Sequence, residues 1–154
     1  MNDSTHYREP GFLVTRIMNP AVELLTRRGI SVWGSRILEV RGRTSGEPRR
    51  TPVNLLEVDG RQYLVSPRGE GQWVRNVRAD DGRLTLLLGR HRDARTAHEL
   101  SDAEKPPILR EYLRRWKLEV GVFFDGVTAD SSDEELQRIA ADHPVFSLSE
   151  GTEA

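Results

Sequence analysis

Cysteine is absent from this chain, which excludes disulfides, thiolate metal sites and cysteine nucleophiles. Long apolar runs are absent as well. None approaches the roughly 20 residues of a membrane span, and the first thirty residues lack a signal-peptide pattern. Lysine is nearly missing: Lys105 and Lys117 are the only two, so the basic charge rests on arginine. Arginine presents a planar fork that suits carboxylate and phosphate. The histidines His6, His91, His98 and His143 show no paired ligand spacing, and no metal site is expected. No serine sits in a nucleophile elbow. No glycine cluster completes a dinucleotide fingerprint or a nucleotide P-loop.

What remains is a 154-residue chain with 36% apolar and 31% charged residues, the profile of a soluble one-domain protein with a reducing cytoplasm as its expected location. The net charge of −1 hides a division. Residues 1–100 carry 17 Lys/Arg against 12 Asp/Glu, and residues 101–154 carry 6 against 12. The basic part suits an anionic ligand or the acidic tail of its own chain.

Residues 1–11 read as a leader before a single domain over 12–150. Asn19-Pro20 then has the form of a helix start, followed by Val22, Leu24 and Leu25, with Gly29 as the stop. Residues 36–41 read as a strand. Residues 53–58 and 61–66 flank Asp59-Gly60, a strong hairpin signal. A short helix over 72–79 is followed by a second hairpin over 84–100, turning at Gly89-Arg90. Leu109, Tyr112, Leu113 and Trp116 fall at helical spacing behind Pro106-Pro107. Ser132 to Glu135 is a capping-box pattern, and residues 144–146 close the fold as an extended segment. Hairpin-linked strands with flanking helices make this an α+β protein, with an antiparallel sheet able to curl into a small barrel.

Two connections stand out. Residues 42–53 gather Arg43, Arg49 and Arg50 with Ser45 and two glycines, a bend suited to an anion, although an ordinary hairpin with solvated arginines has the same composition. Residues 66–76 run from a strand end through Gly69 and Gly71 into a helix start, where free N–H groups can meet an anion or the edge of a planar ring. Trp73 and Asn76 share a face of that helix. A site with a phosphate end and a planar end would use both.

Gly42-Arg43-Thr44-Ser45-Gly46-Glu47-Pro48-Arg49, followed by Pro52-Val53 and then by Arg68-Gly69 and Trp73 to Asn76, resembles the deazaflavin-dependent nitroreductase family. These are split-barrel reductases that use coenzyme F420. The resemblance covers residues 12–118 and implies a split β-barrel and hydride transfer to a small quinone, enone or nitro acceptor. It implies that Arg43, Ser45 and Arg49 hold the coenzyme phosphate and acidic tail. Pro52, Val53 and Asn54 would lie along linker or ring, and Arg68, Gly69, Trp73 and Asn76 would border ring and phosphate. Arg68 is the one candidate for a catalytic donor. Tyr112, Trp116, Phe123 and Phe124 are candidate substrate-pocket walls, while Tyr112 and Trp116 fit a core stripe equally well. Thr44 stands where many relatives have a basic residue, and Pro67 where they have serine. Val120 to Asp125 lacks the tyrosine-rich wall of well-known members. An FMN-binding split barrel and a non-catalytic coenzyme binder remain as alternatives. A small-molecule substrate, no nucleic acid, at most peripheral membrane contact, and a monomer or homodimer complete the expectation.

Overall fold

The computed structural model describes residues 34–151, with the backbone alone at 117–120 and at 122. The expected leader and the helix behind Asn19-Pro20 lie outside the described residues. Seven strands form one sheet: β1 (Ser35–Arg41), β2 (Pro48–Asn54), β3 (Leu56–Val58), β4 (Arg61–Val65), then β5 (Arg83–Leu88), β6 (His91–Glu99) and β7 (Val145–Glu150). Helix α1 (Gln72–Ala79) separates β4 from β5, and α2 (Pro106–Val120) and α3 (Asp133–Ile139) separate β6 from β7.

The strand order is β2-β1-β5-β6-β7-β4-β3, and every pairing is antiparallel. The two edge strands, β2 and β3, are separated in the chain by Leu55 alone. Opposite edges joined by one residue force the sheet to curl until they meet, and β2 indeed contacts β4. The result is a split barrel. This corrects the expected continuous strand over 53–58. Its first two residues pair with β1, its last three pair with β4, and Leu55 turns the corner by donating its N–H to Gly34 O at 2.9 Å.

Strand β2 also begins at Pro48, inside the segment expected to be a loop up to residue 53. Pro48 and Pro52 cannot donate to a ladder, but an edge strand has one side without a partner and so accepts them. The closing segment 144–146 extends into a full strand wedged between β6 and β4. Its alternating serines, Ser147 and Ser149, conceal it from a hydrophobic pattern.

Side-chain alternation divides the core in two. Leu64 and Phe146 point into the barrel against Leu38, Val40 and the α1 residues Val74 and Val77. Their neighbours Tyr63, Val65 and Val145 point to the other face, where α2 and α3 pack. The expected stripe Leu109, Tyr112, Leu113 and Trp116 lies there, each no more than 2% exposed. The Asp59-Gly60 turn has both φ values positive, 52° and 79°, as a type I′ hairpin requires. Ser132 caps α3 by accepting from Glu135 N at 3.2 Å, but Glu135 pairs with Arg138 at 2.9 Å instead of completing a capping box. The reciprocal box forms at Ser101 and Glu104.

Candidate functional site

The turn between β1 and β2 is closed by its own backbone. Gly42 N donates to Glu47 O, and Gly46 N to Gly42 O, both at 2.8 Å. Gly46 takes a φ of 75°, which explains a glycine there. Gly42 is required for space: a Cβ would come within 2.8 Å of Ser45 Oγ and 3.3 Å of Arg49 Nε. Ser45 Oγ sits at the centre, accepting from Glu47 N at 3.1 Å and from Arg49 Nη2 at 3.3 Å.

The three arginines of this turn have different fates. Arg43 is latched to α1: its backbone N and its Nη1 donate to Asn76 Oδ1 at 3.0 and 2.8 Å. Arg50 lies opposite Glu39 across the β1–β2 ladder and binds that carboxylate at 2.9 Å, with Arg92 on the other oxygen at 2.7 Å. Burial pushes the Glu39 carboxyl up, but hydrogen bonds from Arg92 and Arg50 outweigh it and hold the group below its ordinary value. Arg49 has no carboxylate partner among the described residues. Of the three it is the one whose fork meets neither a carboxylate nor the carboxamide of α1.

The second connection leaves β4. Ser66 N donates to Pro144 O at 2.9 Å, and its buried hydroxyl donates to Gly69 O at 2.5 Å. A hydroxyl is therefore present beside Pro67, but it is spent on the turn itself. Gly69 takes a φ of 97°. Helix α1 then starts at Gly71 with no side-chain cap and no acidic residue in its first turn. That leaves first-turn N–H groups to the solvent or to a ligand. Arg78 at the other end of α1 binds Glu70 at 3.0 Å and Glu99 at 2.6 Å, fixing the helix against the turn before it and against β6.

Between these connections, in the seam where the barrel splits, lies a cavity of about 760 Å³. Its cationic end is formed by the turn, with Arg43, Ser45 and Arg49. Pro52, Val53, Val40 and Val65 give it apolar walls, and Arg68, Gln72, Trp73 and Asn76 line the opposite side. Among the described residues no Asp or Glu lines it, while four arginines do. Sequence reasoning does not single out Val40 and Val65, because strand residues facing a cavity and strand residues facing a core alternate in the same way.

Far from the turn, at the last residue of β2, stands Asn54. It is 7% exposed, and its Nδ2 is buried without a hydrogen-bond partner among the described residues. Such a group costs about 1–3 kcal/mol. At about 3.4 Å per residue, Arg49 and Asn54 stand roughly 17 Å apart along the strand. Tyr112, from α2, lines the cavity with Asn54.

The remaining expected residues stand back from it. Gly69 shapes the turn without lining the cavity. Trp116, Phe123 and Phe124 are each at most 2% exposed and form the core behind Tyr112, whose ring lies 5.1 Å from Trp116 and 6.3 Å from Phe124. Trp116 is carried inward by the apolar face that α2 packs on the sheet, and Phe123 and Phe124, which follow the helix, fill the same cluster. Arg68 lies over the Phe123 ring at 5.9 Å, which holds a cation at the cavity edge. No group of His, Asp or Glu among the described residues is arranged to hold a metal. No described helix is long and apolar enough to cross a membrane.

A cation-rich end and an apolar slot fit a coenzyme with an anionic tail and a planar ring. Comparison with known proteins points the same way. No curated protein matches the chain. Among solved structures, the F420-H2 dependent reductase FDR-A aligns with a TM-score of 0.52 at 20% identity, over 75% of this chain and 94% of that one. A protein solved as a domain-swapped dimer aligns with a TM-score of 0.55 at 18% identity, over 88% and 98%. A protein of unknown function from Agrobacterium tumefaciens aligns with a TM-score of 0.53 at 17% identity, over 92% and 55%. At these identities the structures establish the split-barrel fold. The sequence model of the F420H(2)-dependent quinone reductases matches residues 23–123, from before the barrel to just past α2, and includes both connections that line the seam. With more than half of its length matched, this chain belongs to the F420H(2)-dependent quinone reductase family and is an F420H2-dependent reductase.

Proposed function

We propose that the seam cavity binds reduced coenzyme F420 with its phosphate at the β1–β2 turn and its ring toward Asn54, and that the acceptor is a quinone. The observation that carries this reading is the lining of the cavity: four arginines and, among the described residues, no carboxylate, with Arg49 and Asn54 roughly 17 Å apart along β2. Arg49 and Ser45 hold the phosphate in this reading. Arg43 contributes less than its position suggests, because Nη1 and the backbone N are committed to Asn76. Pro52, Val53 and Asn54 border the ring along one side, and Trp73 and Asn76 along the other. The uncapped start of α1 adds backbone donors.

Bound F420H2 supplies a hydride, two electrons with one proton. The chain's own part is to hold donor and acceptor in register, to exclude water with Val40, Val53 and Val65, and to present Tyr112 as the wall of the acceptor space. Trp116, Phe123 and Phe124 support that wall from behind. Arg68 stands at the edge, where a negative charge developing on the acceptor is stabilised. A quinone that takes the hydride needs one further proton to become a hydroquinone, and solvent at the cavity mouth supplies it.

Family membership favours deazaflavin over FMN, and turnover over binding alone. Fluorescence titration of the purified protein with oxidised F420 and with FMN tests the reading, followed by stopped-flow mixing with F420H2 and a quinone. Saturable deazaflavin binding and quinone-dependent oxidation are expected. Tight FMN binding without deazaflavin binding overturns the proposal.

A further inference from the structure

Midway along β2, between the arginine turn and Val53, the side chain of Thr51 opens on the seam cavity. We infer that Thr51 Oγ1 is the contact that selects a hydroxylated linker in the coenzyme, by hydrogen-bonding the ribityl chain that joins phosphate to ring. The inference rests on the coenzyme orientation proposed above.

Cross-strand register decides which way this side chain points. Arg49, Thr51 and Val53 stand opposite Val40, Leu38 and Arg36 of β1. Directly opposed residues of an antiparallel pair share a face. Leu38, Val40 and Val53 belong to the cluster inside the barrel, so Thr51 faces inward with Arg49 and Val53. The hydroxyl is reachable there. Thr51 is half-buried, its side chain forms no hydrogen bond among the described residues, and its oxygen is not sealed from solvent as Asn54 Nδ2 is.

The side chain is also held still. A residue before proline is confined to extended backbone, and Pro52 follows Thr51. A β-branched side chain is stiff about its first torsion, so ordering it on a ligand costs little. Position then matches the linker. Thr51 lies two residues past Arg49, roughly 7 Å along the strand at about 3.4 Å per residue. Pro52 and Val53 come next, with apolar surface suited to a ring. With the phosphate at Arg49 and Ser45, the polyol is the part of the coenzyme that passes Thr51.

A hydroxyl donates and accepts, so it pairs with a polyol oxygen in either sense. An alkyl chain of the same length leaves Oγ1 without a partner once the slot is filled and water is excluded. Discrimination therefore falls on the linker oxygens, with ring and phosphate unchanged.

The test uses two ligands that share ring and phosphate and differ only in linker: the F420 deazaflavin ring bearing a ribityl phosphate, and the same ring bearing a phosphopentyl chain. Wild type, Thr51→Val, which keeps the shape and removes the hydroxyl, and Thr51→Ser, which keeps the hydroxyl, are compared. Each is titrated by fluorescence with oxidised F420 and then with both ligands. Thr51→Val is expected to bind F420 and the ribityl ligand about fivefold more weakly, the equivalent of one hydrogen bond between neutral groups. Its affinity for the phosphopentyl ligand stays at the wild-type value, and Thr51→Ser recovers most of the loss. Melting temperatures of the unliganded proteins stay close, since no hydrogen bond within the described chain is removed. Unchanged F420 affinity in Thr51→Val overturns the inference. So does an equal loss for both ligands, which would place the effect in the shape of the cavity and not on the linker. A wild type that binds no F420 overturns the parent reading as well, and the first titration reveals it.

Discussion

Asn76 Oδ1 accepts two hydrogen bonds from Arg43, one from its backbone N at 3.0 Å and one from its Nη1 at 2.8 Å. One buried carbonyl oxygen on α1 thus fixes both the path and the side chain of a turn 33 residues earlier in the chain. The latch joins the two connections that line the cavity. Asn76→Ala leaves a partly buried N–H and a guanidinium without that acceptor, and the expected cost is about 1–3 kcal/mol of stability. F420 binding should weaken with it, because the turn loses its anchor. Chemical denaturation and F420 titration check both; unchanged affinity in a folded variant removes the latch from the binding account.

Arg49 is bound neither by a described carboxylate, as Arg50 is, nor by Asn76, as Arg43 is. Arg49→Ala is expected to weaken F420 by about 1–3 kcal/mol, the range for a charge-assisted hydrogen bond, and to leave the melting temperature nearly unchanged. The loss should shrink as salt is raised, since the contact is exposed. Titration at two ionic strengths reads this directly.

Gly42→Ala tests the packing of the turn independently of charge. The added Cβ falls 2.8 Å from Ser45 Oγ and 3.2 Å from Glu47 O, so Ser45 must move. Ser45 Oγ holds both Glu47 N and Arg49, so the predicted result is a loss of coenzyme affinity larger than the loss of stability. The two are compared by titration and thermal denaturation.

Glu39 supplies a pH dependence. Its carboxyl is held below the ordinary value of 4.5, with the hydrogen bonds from Arg92 and Arg50 outweighing burial. The unfolded chain therefore binds the proton more readily than the folded one, and stability rises with pH through that interval. The contribution of Glu39 is present above about pH 4.5 and is lost as pH falls through its lower folded value. Glu39→Gln should flatten the acid limb of the stability profile below that pH. A profile parallel to wild type removes Glu39 from the explanation.

Phe124 separates a structural wall from a contacting one. It is fully buried, with its ring stacked on His143 at 4.1 Å. Phe124→Ala is expected to cost about 3–5 kcal/mol of stability, the range for emptying an aromatic site in a core. Among molecules that remain folded, KM for the quinone should change less than it does in Tyr112→Phe or Tyr112→Leu, where the cavity wall itself is altered. Denaturation and steady-state kinetics on the three variants check this order.

Much of this was legible in the chain because its causes are local. Asp59-Gly60 specifies its turn by two positive φ angles, and Gly42 to Gly46 bends where glycine permits close approach. Leu109, Tyr112, Leu113 and Trp116 specify a buried helix face by their spacing, and Trp73 and Asn76 meet the cavity from one side of α1. Residues 144–150 were less legible, because the serines of β7 mask its alternation and its partners β6 and β4 are distant in sequence.

By itself, then, the sequence determined an antiparallel α+β chain with an arginine-bearing turn and a glycine-rich helix entry, since hydrogen bonds within a turn and side chains on one helix face act over a few residues. The tertiary structure decided which of those residues are available. It broke the strand at Leu55 because the opposite edges of a curled sheet must meet there. It gave Arg50 to Glu39 through cross-strand register and Arg43 to Asn76 through the packing of α1. Arg49 was left without a carboxylate among the described residues, and Asn54 was left at the seam with a buried donor. Those outcomes depend on which segments the closing barrel brings side by side, and no local pattern encodes that.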